Sequence, residues 1–442
     1  MNSLYRALVL AVALAPGLVN ADFEKEPEPI RVASVSQLHT ALASAADGDV
    51  ILMEPGIYET HFEIDKSIRL LGQTGVILDA MGTGSAILVL SSNVSIENLF
   101  IRNWGSDISD YNSAIEVDEH LNNIRIVNNQ MSGPGYGVRI DVCNEVVVDS
   151  NIISGDPALP SLRRGDGIHL KEVNNATVTN NVINTVRDGI YIESGHVSTV
   201  HGNQIDTGRY GIHYMYAKQG RGFDNSSTNM NGGYALMGSE SLEFFGNHTH
   251  ANDEFGILLN LTNHSSVYNN SVSHINNPEV GAEPAKALYL YSADNNQITD
   301  NIFSHADLGV YMALGGENNR IYRNQFISNQ IQVKYVGSHL VDWSFDGIGN
   351  YWSSNLNFSL STKLALEPYR PSDALDRLFW IYPEVQFLMN SPVVSVLRWL
   401  QDKVQIYPEV GVIDSFPLQQ PNQTSSLTDK KVNEYSYYKP VD

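Results

Sequence analysis

The chain is short of several things, and each shortage closes off a class of protein. It has a single cysteine, Cys143, in 442 residues, which leaves no disulfide framework and no cluster of thiolate ligands. Basic residues are scarce: 27 Lys and Arg stand against 49 Asp and Glu, a formal charge of −22. A protein whose main partner is nucleic acid or anionic lipid needs basic patches that this balance does not supply. Long apolar runs are missing too. Residues 7–18 form an apolar run of 12, where about 20 are needed to span a bilayer. That run follows Arg6 and precedes the small-residue site Val19-Asn20-Ala21, the layout of an export signal over residues 1–21. The expected protein is exported, acidic, and without a membrane span of its own. Cys143, beside a repeat strand, reads as inert.

What the chain does have is a repeat. The pattern β-branched, x, Asn, x, apolar recurs at Asn129, Asn151, Asn181, Asn203, Asn225, Asn247, Asn270, Asn301 and Asn324, with a basic step of 22 residues. A second ladder, Gly137, Gly167, Gly189, Gly211, Gly233, Gly256, Ala287 and Gly309, opens short apolar strands such as Gly-Ile-His-Leu. Units this small cannot bury a core alone, so they stack as a solenoid. Their β-branched residues and lack of helical periodicity predict an all-β chain: a right-handed parallel β-helix over residues 32–352, about 22 residues per rung. Residues 22–31 read as a leader. A short helix capped by Ser36, over residues 37–45, is expected to cover the open first rung. The marker asparagines are expected to be structural, supplying left-handed turns and amide stacking.

Strand alternation sorts the Gly-led strands. The first and third residues after the small residue point inward, the second and fourth outward. Among the outward residues are His213, Met215 and Met237, the methionines on adjacent rungs about 5 Å apart. Two thioethers and an imidazole suit Cu(I), so these three form the candidate metal site, read as exposed and transient. A second cluster, Arg163, Arg164, Asp166, Arg187, Asp188 and Arg209, either binds an acidic polysaccharide, as in a lyase or epimerase, or makes salt bridges between rungs. Three longer gaps insert residues 105–112, 155–164 and 276–286 at the same turn, the expected partner-binding edge.

After Asp346-Gly-Ile-Gly-Asn-Tyr-Trp352 the period stops. Residues 353–418 form a non-repeat tail with short apolar stretches at 377–380, 385–389 and 393–400, suited to capping the last rung and docking a partner. Residues 419–442 are polar and expected to be disordered.

The segments Arg209-Tyr-Gly-Ile-His-Tyr-Met-Tyr216, Gly349-Asn-Tyr-Trp352, Pro368-Tyr-Arg-Pro-Ser-Asp-Ala-Leu-Asp376, Asn390-Ser-Pro-Val393 and Gly411-Val-Ile-Asp-Ser415 resemble those of the NosD family, the periplasmic maturation proteins of nitrous oxide reductase. The resemblance runs over residues 32–418. It implies a periplasmic component of an ABC-type complex rather than an enzyme. The implied partners are an ABC ATPase, a membrane permease, a copper chaperone lipoprotein and nitrous oxide reductase, whose copper centres the system assembles. Family members often carry an acidic, glycine-rich loop before the Pro-Tyr-x-Pro segment. Here that stretch, residues 355–366, reads Asn-Leu-Asn-Phe-Ser-Leu-Ser-Thr-Lys-Leu-Ala-Leu.

Overall fold

Runs of three to six residues in which Ile, Val or Thr alternate with polar residues can bury one face of a strand and no more. In the computed structural model, which describes residues 28–316, 318–355, 367–372, 382, 388, 391–404 and 410–421, these runs stack into a parallel β-solenoid of about 14 turns. The expected export signal, the stretches 356–366, 377–380 and 385–387, and the terminus from residue 422 lie outside the described residues.

Each rung contributes to three faces. The first is a sheet of thirteen strands, from Ile30–Val32 to Arg320–Tyr322. The second and third join into one 23-stranded sheet because two strands, Gln204–Met215 and Ser226–Met237, run unbroken round their shared corner. Register is strict: Ile190 pairs with Ile212, and Ile212 with Tyr234, so inward side chains form files that fill the interior. The glycine ladder keeps adjacent rungs at this distance. A Cβ on Gly189 would lie 2.5 Å from the Gly211 carbonyl oxygen and 2.5 Å from the Ile205 side chain.

The N-terminal helix spans Val35–Ser44 and is capped by Ser34 rather than Ser36. Ser34 accepts the Gln37 N–H, and the Gln37 side chain in return accepts the Ala33 N–H at 2.8 Å. That reciprocal pair fixes the start two residues early. The buried face is the expected one, Leu38, Ala41 and Leu42, packed on the first-rung residues Ile51 and Met53.

The marker asparagines do half of what the sequence suggests. The left-handed residue is the one before each of them, for example Asn128, Ser150, Asn180 and Gly202, with φ between 55° and 68°. The ladder asparagines themselves turn inward and are buried. Asn203 Nδ2 donates to the Asn225 Oδ1 at 2.9 Å and to the Val178 carbonyl at 3.0 Å. Its own Oδ1 accepts from the Asn181 backbone N–H at 3.0 Å and Nδ2–H at 2.9 Å. Every rung from Asn129 to Asn324 repeats this, and Asn350 extends it by one. The corner therefore satisfies backbone groups that the turn takes out of the sheets.

At the C-terminal end the tail returns to the solenoid. Gly411–Ile413 pairs with Leu340–Asp342, and Asp414 enters the end of the core. Its carboxylate accepts from Asn350 N–H at 2.7 Å and Trp352 Nε1–H at 2.8 Å. Trp352 stacks on Phe326 with ring centroids 4.3 Å apart and, like Trp343, is fully buried. Gly349 is obligatory here, since a Cβ would fall 1.7 Å from Asp414 Oδ1.

Candidate functional site

The third face carries the outward file Glu116, Arg139, His169, Tyr191, His213, Ala235, Leu258, Tyr289 and Tyr311, each paired in register with the next. Two imidazoles in it are each held by a carboxylate, His169 by one of its own rung and His213 by one of the rung before. His169 Nδ1 lies 2.8 Å from Asp166 Oδ2, and His213 Nδ1 lies 2.9 Å from Asp188 Oδ2. Both aspartates are fully buried. Arg187 spans to Asp166 at 2.9 and 2.8 Å, and Arg209 to Asp188 at 2.7 and 2.5 Å. The Tyr191 ring sits between the two histidines, 4.9 and 4.6 Å from them, and Tyr210 meets His213 edge-on at 5.3 Å.

These contacts decide how the Arg/Asp cluster works. Two of its guanidinium groups, Arg187 and Arg209, are committed to carboxylates one rung back, the salt-bridging alternative. Burial alone would push Asp166 up. The His169 hydrogen bond and the charge and hydrogen bonds of Arg187 outweigh it and hold the carboxyl at about 2. Cys143 is buried, donates to the Asp118 and Asp141 carbonyls, and is pushed up by burial to about 11. It is a protonated thiol without nucleophilic character.

The predicted trio is brought together on adjacent rungs. Met215 and Met237 are register partners, and His213 stands two residues before Met215 on the same strand. The expectation of an exposed site fails for the imidazole. His213 is only 6% exposed, because Tyr191 and Tyr210 close over it, while both methionines are half-buried. Met237 packs with Tyr210 and Tyr289 against Ala235, Phe255 and Leu258. His213 Nε2 is buried and has no hydrogen-bond partner among the described residues; nor has Asn260 Oδ1, next after Met237 in the same file. A buried imidazole nitrogen and two thioethers on adjacent rungs are donor types that suit a soft cation. Among the described residues no three His, Cys, Asp or Glu side chains gather to cage an ion.

Sequence reasoning missed the Asp188–His213 link. The signal was available: Asp188 directly precedes Gly189, and His213 follows Gly211 by two, so the register places them on adjacent rungs.

The three insertions do leave from one corner, between the second and third faces, after Phe100–Arg102, Ile152–Ser154 and Ser271–Ile275. The 3₁₀ turn Ser161–Arg163 of the second reaches the strand Gln204–Met215. Glu283 of the third pairs with Lys286 at 3.1 Å and Lys334 at 3.9 Å. They rim the edge of the face that holds His213.

Beyond the site, Pro392–Val404 forms a helix whose Val394 is buried. Val393, Val396, Leu397, Trp399 and Leu400 are exposed, Trp399 by 59%. Among the described residues no helix is long and apolar enough to cross a membrane.

Comparison with known proteins agrees with these features. Residues 150–356 match the family described as "Periplasmic copper-binding protein (NosD)". A Stutzerimonas stutzeri protein described as "Probable ABC transporter binding protein NosD" is 39% identical over 400 residues, 89% of this chain and 92% of that one. Its namesake in Pseudomonas aeruginosa is 38% identical over 380 residues, 84% and 89% of the two chains. Among solved structures, the DFA-IIIase of Arthrobacter chlorophenolicus A6 without its lid superposes with a TM-score of 0.54 at 16% identity, over 71% of this chain and 97% of that one, a likeness of fold alone. With a relative at 39% identity over most of both chains, and a family match spanning the rungs that carry His213, Met215 and Met237, this chain belongs to the NosD family.

Proposed function

We propose that the protein is a periplasmic accessory factor that passes copper, as Cu(I), toward the copper centres of nitrous oxide reductase. It acts without catalysing a reaction, in a complex with an ABC ATPase and permease, and copper reaches it from a lipoprotein chaperone. The observation that carries this reading is the face itself: a preoriented imidazole with a buried free nitrogen beside two register-paired methionines, in a family described as copper-binding. Copper is cargo here. Thioethers and one imidazole, with no thiolate, bind a soft ion reversibly, as a relay requires. The half-buried methionines offer the way in, and the three corner insertions offer a rim for the donor or acceptor protein.

The test is Met215→Leu with Met237→Leu. The exchange conserves volume and is expected to cost less than about 1.5 kcal/mol of stability per site. Copper content of the co-expressed reductase is expected to fall at least fivefold. Full loading by the folded double variant would reduce the pair to packing.

The name shared by the relatives, transporter binding protein, directs the second part of the reading. The exposed apolar side chains of Pro392–Val404 are assigned to the permease on the periplasmic side of the membrane. Changing Val396, Leu397, Trp399 and Leu400 to serine leaves the solenoid core untouched. Co-purification with the permease is expected to drop more than tenfold with an unchanged melting curve. Retention at full strength would place the contact elsewhere.

A further inference from the structure

We propose that Asp188 is a positioning residue that presets His213 as an Nε2 metal ligand, a role that rests on the copper reading of this face. A carboxylate only accepts hydrogen bonds, so the contact from Asp188 Oδ2 to His213 Nδ1 at 2.9 Å makes Nδ1 the protonated nitrogen. The neutral ring then carries its lone pair on Nε2. That atom is buried without a partner, a costly state for a polar nitrogen, and one that an arriving cation relieves. Arg209 completes the device. Its two bonds, 2.7 Å to Oδ1 and 2.5 Å to Oδ2, balance the carboxylate's charge and fix its plane, so the imidazole cannot flip without losing its partner. The arrangement is that of a metal-ligating histidine whose other nitrogen donates to a carboxylate.

The protein contains its own control. Asp166 and His169 also pair through Nδ1, at 2.8 Å, though within one rung where Asp188 and His213 pair across two, and Arg187 binds Asp166 as Arg209 binds Asp188. The outward neighbours of His169 in the adjoining file, however, are Asp141, Lys171 and Glu193, with no thioether among them. Carboxylate orientation is thus common to both pairs, and soft donors to one.

Asp188→Asn separates the roles. With the amide oxygen kept on Arg209 Nε, the –NH₂ takes the Oδ2 position, gives up the Arg209 Nη2 bond, faces His213 Nδ1 and moves the ring proton to Nε2, where it blocks the metal. Cu(I) affinity of the full-length chain, titrated against a chromophoric Cu(I) chelator, is expected to fall about 10- to 100-fold. Asp166→Asn, which disturbs the other buried carboxylate–imidazole pair, is expected to change affinity by less than about twofold. Independently of copper, long-range ¹H–¹⁵N correlations on the metal-free protein, with His213→Gln assigning the signal, are expected to show Nδ1–H in the parent and Nε2–H in Asp188→Asn. An Nε2–H tautomer in the parent overturns the proposal whatever Asp188→Asn does. So does equal affinity of the parent and Asp188→Asn, or an equal loss in Asp166→Asn. An Nδ1–H parent that binds no Cu(I) overturns the copper reading of the face, and the ligand role with it, while leaving the orientation by Asp188 standing.

Discussion

Asn203→Ala is expected to cost about 3–6 kcal/mol, a large share of the stability of a folded chain. Asn203 is fully buried. Alanine leaves the Val178 carbonyl, the Asn181 backbone N–H and the Asn181 side-chain N–H without the partners they have now. Each buried group so orphaned costs about 1–3 kcal/mol. Asn144 supplies the contrast: its amide bonds to Asn122 at the surface, at 3.0 Å, and Asn144→Ala is expected to stay within about 1 kcal/mol. Urea denaturation reads both. Because a solenoid's rungs contact only their neighbours, Asn203→Ala is also expected to broaden or split the transition. A loss below 1 kcal/mol, with a single sharp transition, would show that water replaces the amide without penalty.

Asp414 governs the other large effect. Burial pushes its carboxyl up to about 6, even though Trp352 and Asn350 donate to it. With the docked value above the ordinary 3.8, the docked segment binds the proton more tightly than the released one. Docking is therefore firmest below about pH 4, weakens as pH rises to about 6, and levels off beyond. The displacement corresponds to about 3 kcal/mol. Asp166, held at about 2, acts with opposite sign: its contribution is present above about pH 4 and is lost as the pH falls toward 2. Hydrogen exchange of residues 410–418 is expected to quicken between pH 4.5 and 7 relative to the intrinsic rate. Asp414→Asn, of the same shape, is expected to abolish that dependence. Asp414→Ala, which strands the Trp352 and Asn350 donors, is expected to release the segment at all pH values. Exchange of that segment indifferent to Asp414→Ala would mean that strand pairing alone holds the end.

Much of the fold was legible because its determinants repeat. The asparagine and glycine files announce rung length, strand direction and which residues face inward, and the three longer gaps announce one corner. The residue carrying the left-handed turn was placed one position late. Asn, Ser, Gly, Asp and Arg all occupy it, so it has no residue signature, whereas the neighbouring buried amide does. At the site, alternation put His213, Met215 and Met237 on the outer face but could not say what covers them. Tyr191 and Tyr210 belong to different rungs, and lateral packing on an outer surface leaves no period in the chain. The C-terminal end was least legible. Asn350, Trp352 and Asp414 converge across 62 to 64 residues of sequence, a closure that no repeat encodes, although Gly349-Asn-Tyr-Trp352 and Gly411-Val-Ile-Asp-Ser415 stood out as separate motifs.

The amide ladder has a polarity. From Asn129 onward one side-chain N–H of each ladder amide points to the oxygen of the next rung, through Asn151, Asn181 and their successors to Asn350, and Asn350 points to the Asp414 carboxylate at 3.3 Å. Aligned amides polarise one another, so the file is an electret running from Asn129 to Asn350, its positive pole at the C-terminal end. An anion is the natural terminus for that pole and a cation would be repelled from it, much as charges sort themselves at the ends of an α-helix. Rungs can then be added or excised only as whole units that each bring one ladder amide, and a closing module with a carboxylate belongs at this end of the solenoid and not at the other.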